Sequence, residues 1–287
     1  MLASRVWKSS AKVAPSDRPR LEVRKPAFEI PEDAPKYFFR GEEGVTALFY
    51  ALSAVFPDGE RMFIDAVGQF RDRIPDGQLR RAIATFAGQE AQHGRIHEAY
   101  NAYAAERGFR VGPVSAAVAR RTAFMKARLP PVVRLAATAA LEHFTALMAE
   151  QVLGDAAHFD GVDEAHAKLW RWHAAEESEH KAVAFDVLEA VSGSYFVRIR
   201  SYAVTSVMFP TLTMLHTYYL MWHDGSFTDL RAHLGLARFL IVEPGLIPRL
   251  LPGWLDYLRP DFHPWDRDDR ALLDRWRAEW ASAGLAT

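Results

Sequence analysis

Two short stretches hold residue types that could do chemistry together. Gly88-Gln-Glu-Ala-Gln-His-Gly-Arg-Ile-His97 contains Glu90 and His93, and Trp172-His-Ala-Ala-Glu-Glu-Ser-Glu-His180 contains Glu177 and His180. Three residues turn an α-helix through about 300°, so each Glu-x-x-His pair lies on one face, one turn apart. A carboxylate and an imidazole so placed can grip one metal ion from a single helix. Two such helices, each with a neighbour giving one more glutamate, could hold a pair of ions. The chain must then supply two further glutamates on two further helices. Glu60 and Glu142 are the candidates.

The elements that must position them follow in order. Residues 1–44 read as a basic, proline-broken, exposed arm and an extended lead-in. The pattern Val45, Leu48, Phe49, Leu52, Val55, Phe56 predicts a helix that breaks at Pro57-Asp58-Gly59 and resumes with Glu60 near its start. After Pro75-Asp76-Gly77 a long helix is expected from about Gln78 to Arg107, with Glu90, His93 and His97 on one face. A third helical region stops at Pro130-Pro131 and resumes with Glu142 inside an apolar run, where a carboxylate is costly unless paired, protonated or bound to metal. His143, one step around, falls to the side of that face. A fourth helix from about Glu164 to Ser192 puts His173, Glu177 and His180 on one stripe. His97, His173 and Glu176 are candidates for additional ligands or for groups that support the ligands. For Glu176 and Glu179 the spacing favours solvated neighbours over buried acceptors.

With 18 Glu and 11 His in 287 residues, chance would give about 0.7 Glu-x-x-His pairs, so two of them prove little by count. The order carries the weight. Glu, Glu-x-x-His, Glu, Glu-x-x-His falls on four successive helices, like a duplicated helix pair. The expected fold is all-α: a ferritin-like four-helix bundle over residues 45–193, followed by a helical, apolar C-terminal extension over 194–287. In it Glu90 and Glu177 would bridge two ions, Glu60 and Glu142 would bind one each, and His93 and His180 would complete one apiece.

At these positions the chain also resembles a known family. Phe56-Pro-Asp-Gly-Glu60, Gln89-Glu-Ala-Gln-His93 with His97, Glu142-His-Phe-Thr145 and Trp172 through Asp186 are similar to the bacterial family labelled "predicted metal-dependent hydrolase", over roughly residues 22–270. The resemblance implies a metal enzyme. The ligand pattern is closer to that of the ferritin-like di-iron oxidases and oxygenases.

Composition narrows the rest. Lys plus Arg (35) nearly balance Asp plus Glu (36), so no footprint for nucleic acid stands out. With no cysteine, disulfides, thiolate zinc sites and a cysteine nucleophile are excluded. Imidazole and carboxylate remain as ligands, suited to two ions of iron, or else manganese or zinc. No signal-peptide pattern opens the chain, and a cytoplasmic location is expected. Tyr202 to Trp222 has the length of a membrane span but carries Pro210 and His216, so a buried helix covering the bundle is favoured over a true span. Phe239 to Trp254 is apolar and broken by prolines and glycines. Packing against the bundle is narrowly favoured for it, with peripheral membrane contact through 202–254 or the lining of an apolar substrate tunnel as the alternatives. His263 would be at most a distant supporting group, and the end of the chain reads as an amphipathic helix docking on the body or on a second copy in a homodimer. The expected function is oxidation or oxygenation of a small apolar organic substrate by dioxygen at a di-iron site. Hydrolysis by a metal-activated water is the alternative, and metal storage or a metal-stabilised interaction protein the third.

Overall fold

The computed structural model describes residues 13–154 and 159–282. Among them the fold is all-α, with no strand and one isolated bridge between Phe39 and Val162. The helices are α1 (Glu43–Gly68), α2 (Gly77–Glu106), α3 (Val111–Arg128), α4 (Pro131–Gly154), α5 (Glu164–His180), α6 (Val183–Val191), α7 (Tyr195–Asp224), α8 (Leu230–Ile241), α9 (Leu246–Asp256) and α10 (Arg270–Ser282). Both helices that carry Glu-x-x-His start on an aspartate cap. Asp76 accepts from the N–H groups of Gln78 and Leu79, and Asp163 from those of Ala165 and His166, which fixes where each helical register begins.

α1 packs along α2 and α4 along α5, and the two pairs meet through α1–α4 and α2–α5 contacts, an arrangement compatible with the expected bundle. Its core is split into two apolar clusters. On α1, residues up to Phe56 belong to one cluster and residues from Met62 to the other; on α2 the division falls between Phe86 and Ile96. Across the α5–α6 pair it falls between Ala175 and Val183. The candidate ligands Glu60, Glu90, His93, Glu177 and His180 occupy these gaps, so a polar waist separates the two apolar halves.

The structure departs from the sequence reading in four places. First, α1 runs unbroken through Pro57. A proline removes the bond to the carbonyl four residues back, here that of Ser53, and Asn101 Nδ2 of α2 donates to that oxygen at 3.1 Å. The next carbonyl, Ala54, accepts from Ser115 Oγ of α3 at 3.1 Å. A tertiary partner thus satisfies the Ser53 carbonyl that the local rule counts as lost. Second, the fourth helix is interrupted at Lys181–Ala182, immediately after His180. Lys181 is buried and turned to Asp269 (2.8 Å) and to the Arg267 carbonyl (2.7 Å), while Ala182 packs with Val13 and Trp265.

Third, the N-terminal arm is anchored at points, although Ala14 to Asp17, Arg20, Glu22 and Val23 stay exposed. Val13, Arg24, Phe38 and Phe39 are buried; residues 1–12 lie outside the described residues. Fourth, α7 covers the bundle with one face only. It packs on α1 and α4 through Tyr202, Leu220 and Met221, but Val204, Val207, Leu215 and Trp222 face outward. Among the described residues α4 is the helix long and apolar enough to cross a membrane, and it is mostly buried within the protein. α8 lies on α1, and α9 on α4 and α8. α9 approaches closely because Gly253 has no side chain; a Cβ there would collide with Leu147. α10 docks on α4 and α5 through Leu273, Trp276 and Trp280, as an amphipathic helix should.

Candidate metal centre

The six candidates converge. Glu60, Glu90, His93, Glu142, Glu177 and His180 are buried, and His173 joins them. Glu177 Oε1 lies 3.2 Å from His173 Nε2, 3.5 Å from His93 Nδ1 and 3.6 Å from His180 Nε2. His180 Nε2 is 3.3 Å from Glu90 Oε1 and 3.5 Å from Glu142 Oε2. His93 Nδ1 is 3.9 Å from Glu90 Oε2 and 4.0 Å from Glu60 Oε1. Two overlapping sets could each hold an ion: Glu60, His93, His173 and Glu177 on one side, and Glu90, Glu177 and His180 on the other, with Glu177 common to both.

Both carboxylate oxygens of Glu60, Glu90 and Glu142, Glu177 Oε2, and the inward nitrogens of all three histidines have no hydrogen-bond partner. Buried polar atoms are normally satisfied, and leaving one unpaired costs about 1–3 kcal/mol, more when it is charged. So many orphans aimed at one centre fit a cation there, with oxygen and imidazole donors of the kind iron, manganese and zinc accept.

The surroundings fix which nitrogen of each histidine faces inward. His93 Nε2 is 3.1 Å from Glu176 Oε2, an acceptor, so Nε2 carries the proton and Nδ1 is the inward atom. Gln89 donates through Nε2 to the Glu22 carbonyl and to Glu179, which presents Oε1 to His180 Nδ1 at 3.2 Å and leaves His180 Nε2 facing the cluster. His173 is set by a longer relay. Asn101 is oriented by the Ser53 carbonyl that Pro57 leaves free, so its Oδ1 accepts from Ser53 Oγ at 2.7 Å. That hydroxyl oxygen then accepts from His97 Nδ1 (2.9 Å), and His97 Nε2 accepts from His173 Nδ1 (2.9 Å). His97 is therefore a supporting residue, and His173 is held with an unprotonated Nε2 towards Glu177. Replacing His97 by phenylalanine keeps a ring in the space but removes the acceptor. We expect roughly 10–100-fold weaker metal binding, the usual loss when such a partner goes, read by competition with a chelator. Unchanged affinity would leave the relay without a role.

Charges in the cluster respond to burial and to one another. Burial, then repulsion from the neighbouring carboxylates, raises Glu90 and Glu142 well above the ordinary carboxyl value; burial does the same to Glu60, against the pull of His93. Glu177 goes the other way: against the effect of burial, the three imidazoles around it hold it well below. Burial pushes His93 down, yet the hydrogen bond to Glu176 and the carboxylates of Glu177 and Glu60 close by lift it to about 10. Burial and His93 take His173 down to about 4. On its own charges the protein must keep protons on this cluster, and cations entering it would displace them.

Behind the cluster stands a second layer of buried charge. Glu176 accepts from Trp172 Nε1 and from Arg24, both at 3.1 Å, and Arg24 also reaches both oxygens of Glu179 at 2.9 and 2.8 Å. Arg277 of α10 pairs with Glu179 at 2.7 Å. Glu176 and Glu179 are thus buried acceptors and not the solvated neighbours their spacing suggested. His143 turns away to the Gly253 carbonyl (2.9 Å), and His263 pairs with Asp186 (2.8 Å) without reaching the cluster.

Two openings approach the centre. An apolar cavity of about 60 Å³, lined by Leu52, Phe56, Met148, Trp170, Phe239 and Leu246 among others, ends at His173 and Glu177. On another side a polar cleft of about 640 Å³, lined by Arg18, Arg20, Arg81 and Asp186, reaches Glu179 and His180.

Against known proteins, the family model described as "Predicted metal-dependent hydrolase" matches residues 22–268. The chain belongs to this family. No curated protein and no solved structure matches it. The stretch shared with the predicted metal-dependent hydrolases holds every residue of the cluster together with Arg24 and Gln89; Arg277 lies beyond it. Sequence reasoning missed Arg24, Ser53, Gln89, Asn101 and Arg277, and weighed for Glu179 the buried role it has but favoured the solvated one. Only Gln89 and Glu179 carried a local signal, each standing one residue before a Glu-x-x-His member.

Proposed function

We propose that this chain is a two-metal enzyme in which Glu60, His93, His173 and Glu177 hold one ion and Glu90, Glu142, Glu177 and His180 hold the other. Ions bound there supply redox chemistry with dioxygen if they are iron, or Lewis-acid activation of a water if they are redox-inert. The family's description points to the second, while we argue the first from the shape and lining of the site. The observation that carries it is the apolar cavity ending at Glu177 and His173. Its walls offer water almost no partners, so an apolar reactant is favoured there over a hydrated one. Its size suits dioxygen or a length of alkyl chain, far below the ~300–1,000 Å³ of sites that enclose a whole drug-sized ligand. Leu52, Phe56 and Trp170 exclude water from that side. Glu177, kept ionised by its three imidazoles, is the group placed to hold both ions, and Glu176, Gln89 and His97 keep the three rings aimed inward.

Hydrolysis is the second reading. It is favoured by the family's description and by the polar cleft at His180 and Glu179, which offers water and a polar substrate a route to the other side of the cluster. One experiment separates the two. Metal-free protein is loaded with ferrous iron under anaerobic conditions, dioxygen is admitted and near-ultraviolet absorbance followed; a parallel zinc- or manganese-loaded sample is assayed with chromogenic esters. Fast, oxygen-dependent ferric bands with no ester turnover are expected. Bound iron inert to dioxygen, together with ester turnover, would overturn oxidation in favour of hydrolysis.

A further inference from the structure

The outer surface of α7, α8 and α9 has no part in the metal centre, yet it is unlike a solvated surface. Of the eighteen large apolar side chains exposed among the described residues, sixteen lie between Tyr195 and Leu258. On α7, Val204, Val207, Leu215 and Trp222 recur with the helical period and share the face turned away from α1 and α4. α8 and α9 continue the surface with Leu234, Ile241, Ile247 and Leu251. Between Arg200 and His223 α7 carries no Asp, Glu, Lys or Arg. Exposed apolar patches of such breadth mark a surface that meets something other than water.

What it meets is indicated by the charge beside it. α3 and α7 both pack on α1 and on α4, and after burial the Arg121 guanidinium of α3 is what pushes His216 of α7 down to about 4. From Arg107 to Leu141 the chain carries seven Lys and Arg and no Asp or Glu. Lys126 and Arg134 pair with Asp65, while Arg120 and Arg128 stand exposed on α3. An apolar face bordered by cations complements a bilayer with anionic headgroups, because it offers both signals that stable surface binding needs. The apolar cavity argues the same way. Phe239 of α8 and Leu246 of α9 line it next to exposed Ile241, Val242 and Ile247. A second copy of the chain seated here would close that end of the cavity; a lipid phase would feed it.

We propose that the α7–α9 face, with the basic flank of α3, docks on the surface of an anionic bilayer, and that the cavity draws its apolar reactant from the lipid. The second clause rests on the two-metal reading. Docking does not, and its readout uses no metal chemistry, so either can fail without the other.

The test is co-sedimentation of the full chain with phosphatidylcholine vesicles, with and without phosphatidylglycerol, at low and high salt. We expect binding to the anionic vesicles that weakens with salt. Replacing Arg120 and Arg128 together by glutamine should weaken it roughly 25-fold, at about fivefold per cation. The double variant Val207→Glu/Leu251→Glu, which changes only exposed positions, should abolish binding while helicity and metal content stay at wild-type levels. A chain that stays in solution with every vesicle would overturn the proposal. So would a salt-insensitive dimer, free of lipid, that Val207→Glu/Leu251→Glu converts to monomer, since a second copy would then be what covers the face.

Discussion

Glu142→Gln is expected to reduce the metal content from two ions per chain to one and to leave the fold intact. The side chain sits in α4 with no hydrogen-bond partner for either oxygen, 3.5 Å from His180 Nε2. Glutamine keeps its shape and removes its charge. The affinity lost should exceed the roughly 10–100-fold typical of a merely supporting partner. A bound ligand at a hundred times its dissociation constant stabilises a protein by about 2.7 kcal/mol, so the variant should also lose that share of metal-dependent thermal stability. Unchanged metal content would remove Glu142 from the site.

The same variant probes the cluster's protons. Glu60, Glu90 and Glu142 have carboxyl values raised in the folded chain. The stability they contribute is full below the unfolded carboxyl value and is lost as pH climbs through the raised ones. His93, raised to about 10, likewise contributes below its unfolded value and loses that contribution as pH rises through about 10. Glu177, held low, runs the opposite way: its contribution is present above the unfolded carboxyl value and lost on acidification. The lowered histidines, His173 among them, favour the folded chain increasingly as pH rises to the unfolded histidine value. It is therefore above about 6.5 that the raised carboxyls and His93 make the metal-free protein less stable as pH climbs. Glu142→Gln should flatten that decline. A melting temperature that instead rises with pH from neutral to mildly alkaline in the metal-free protein would contradict the charge assignment.

The second large effect is expected at Arg24. Its guanidinium bridges Glu176 and Glu179, both buried, and thereby holds the N-terminal segment against α5. Removing one partner of a buried ion pair typically costs about 3–5 kcal/mol, because a charge is left unpaired in a low-dielectric interior. Arg277 and Gln89 still support Glu179, and Trp172 still supports Glu176, so the lower end applies. For Arg24→Met we expect a melting temperature lower by roughly 6–12 °C, at about 2–4 °C per kcal/mol for a chain of this size class. Glu176 is also what orients His93, so metal affinity should fall with stability. Arg24→Lys should recover only part of both, since one ammonium cannot reproduce a fork that contacts two carboxylates. A melting temperature and metal affinity that Arg24→Met leaves untouched would remove the bridge from the account.

The buried Glu and His cluster was legible in the chain because gripping an ion from a helix would impose a spacing. Glu90 with His93 and Glu177 with His180 are one turn apart, and Glu142 stands out as a carboxylate in an apolar run. His173 was legible as a member of the same stripe, although its role follows from the relay through His97, Ser53 and Asn101. That relay had no local signal. It depends on a carbonyl that Pro57 releases and on a residue of another helix that takes it up, which is also why the break expected at Pro57 did not occur. Arg24 was illegible for a similar reason: its partners are 152 and 155 residues away, and a basic, proline-broken terminus composed like a solvated tail gives no hint of them. The apolar character of α7 was plain from composition. Which of its faces the bundle leaves uncovered was not.

The central claim is that these buried glutamates and histidines exist to hold two ions. The most direct measurement is the metal content of the purified chain, reconstituted with ferrous iron under anaerobic conditions, desalted, and analysed for iron and protein in the same sample. The account predicts two irons per chain, retained through desalting. A chain that keeps no stoichiometric metal, and melts at the same temperature with or without iron, would contradict it.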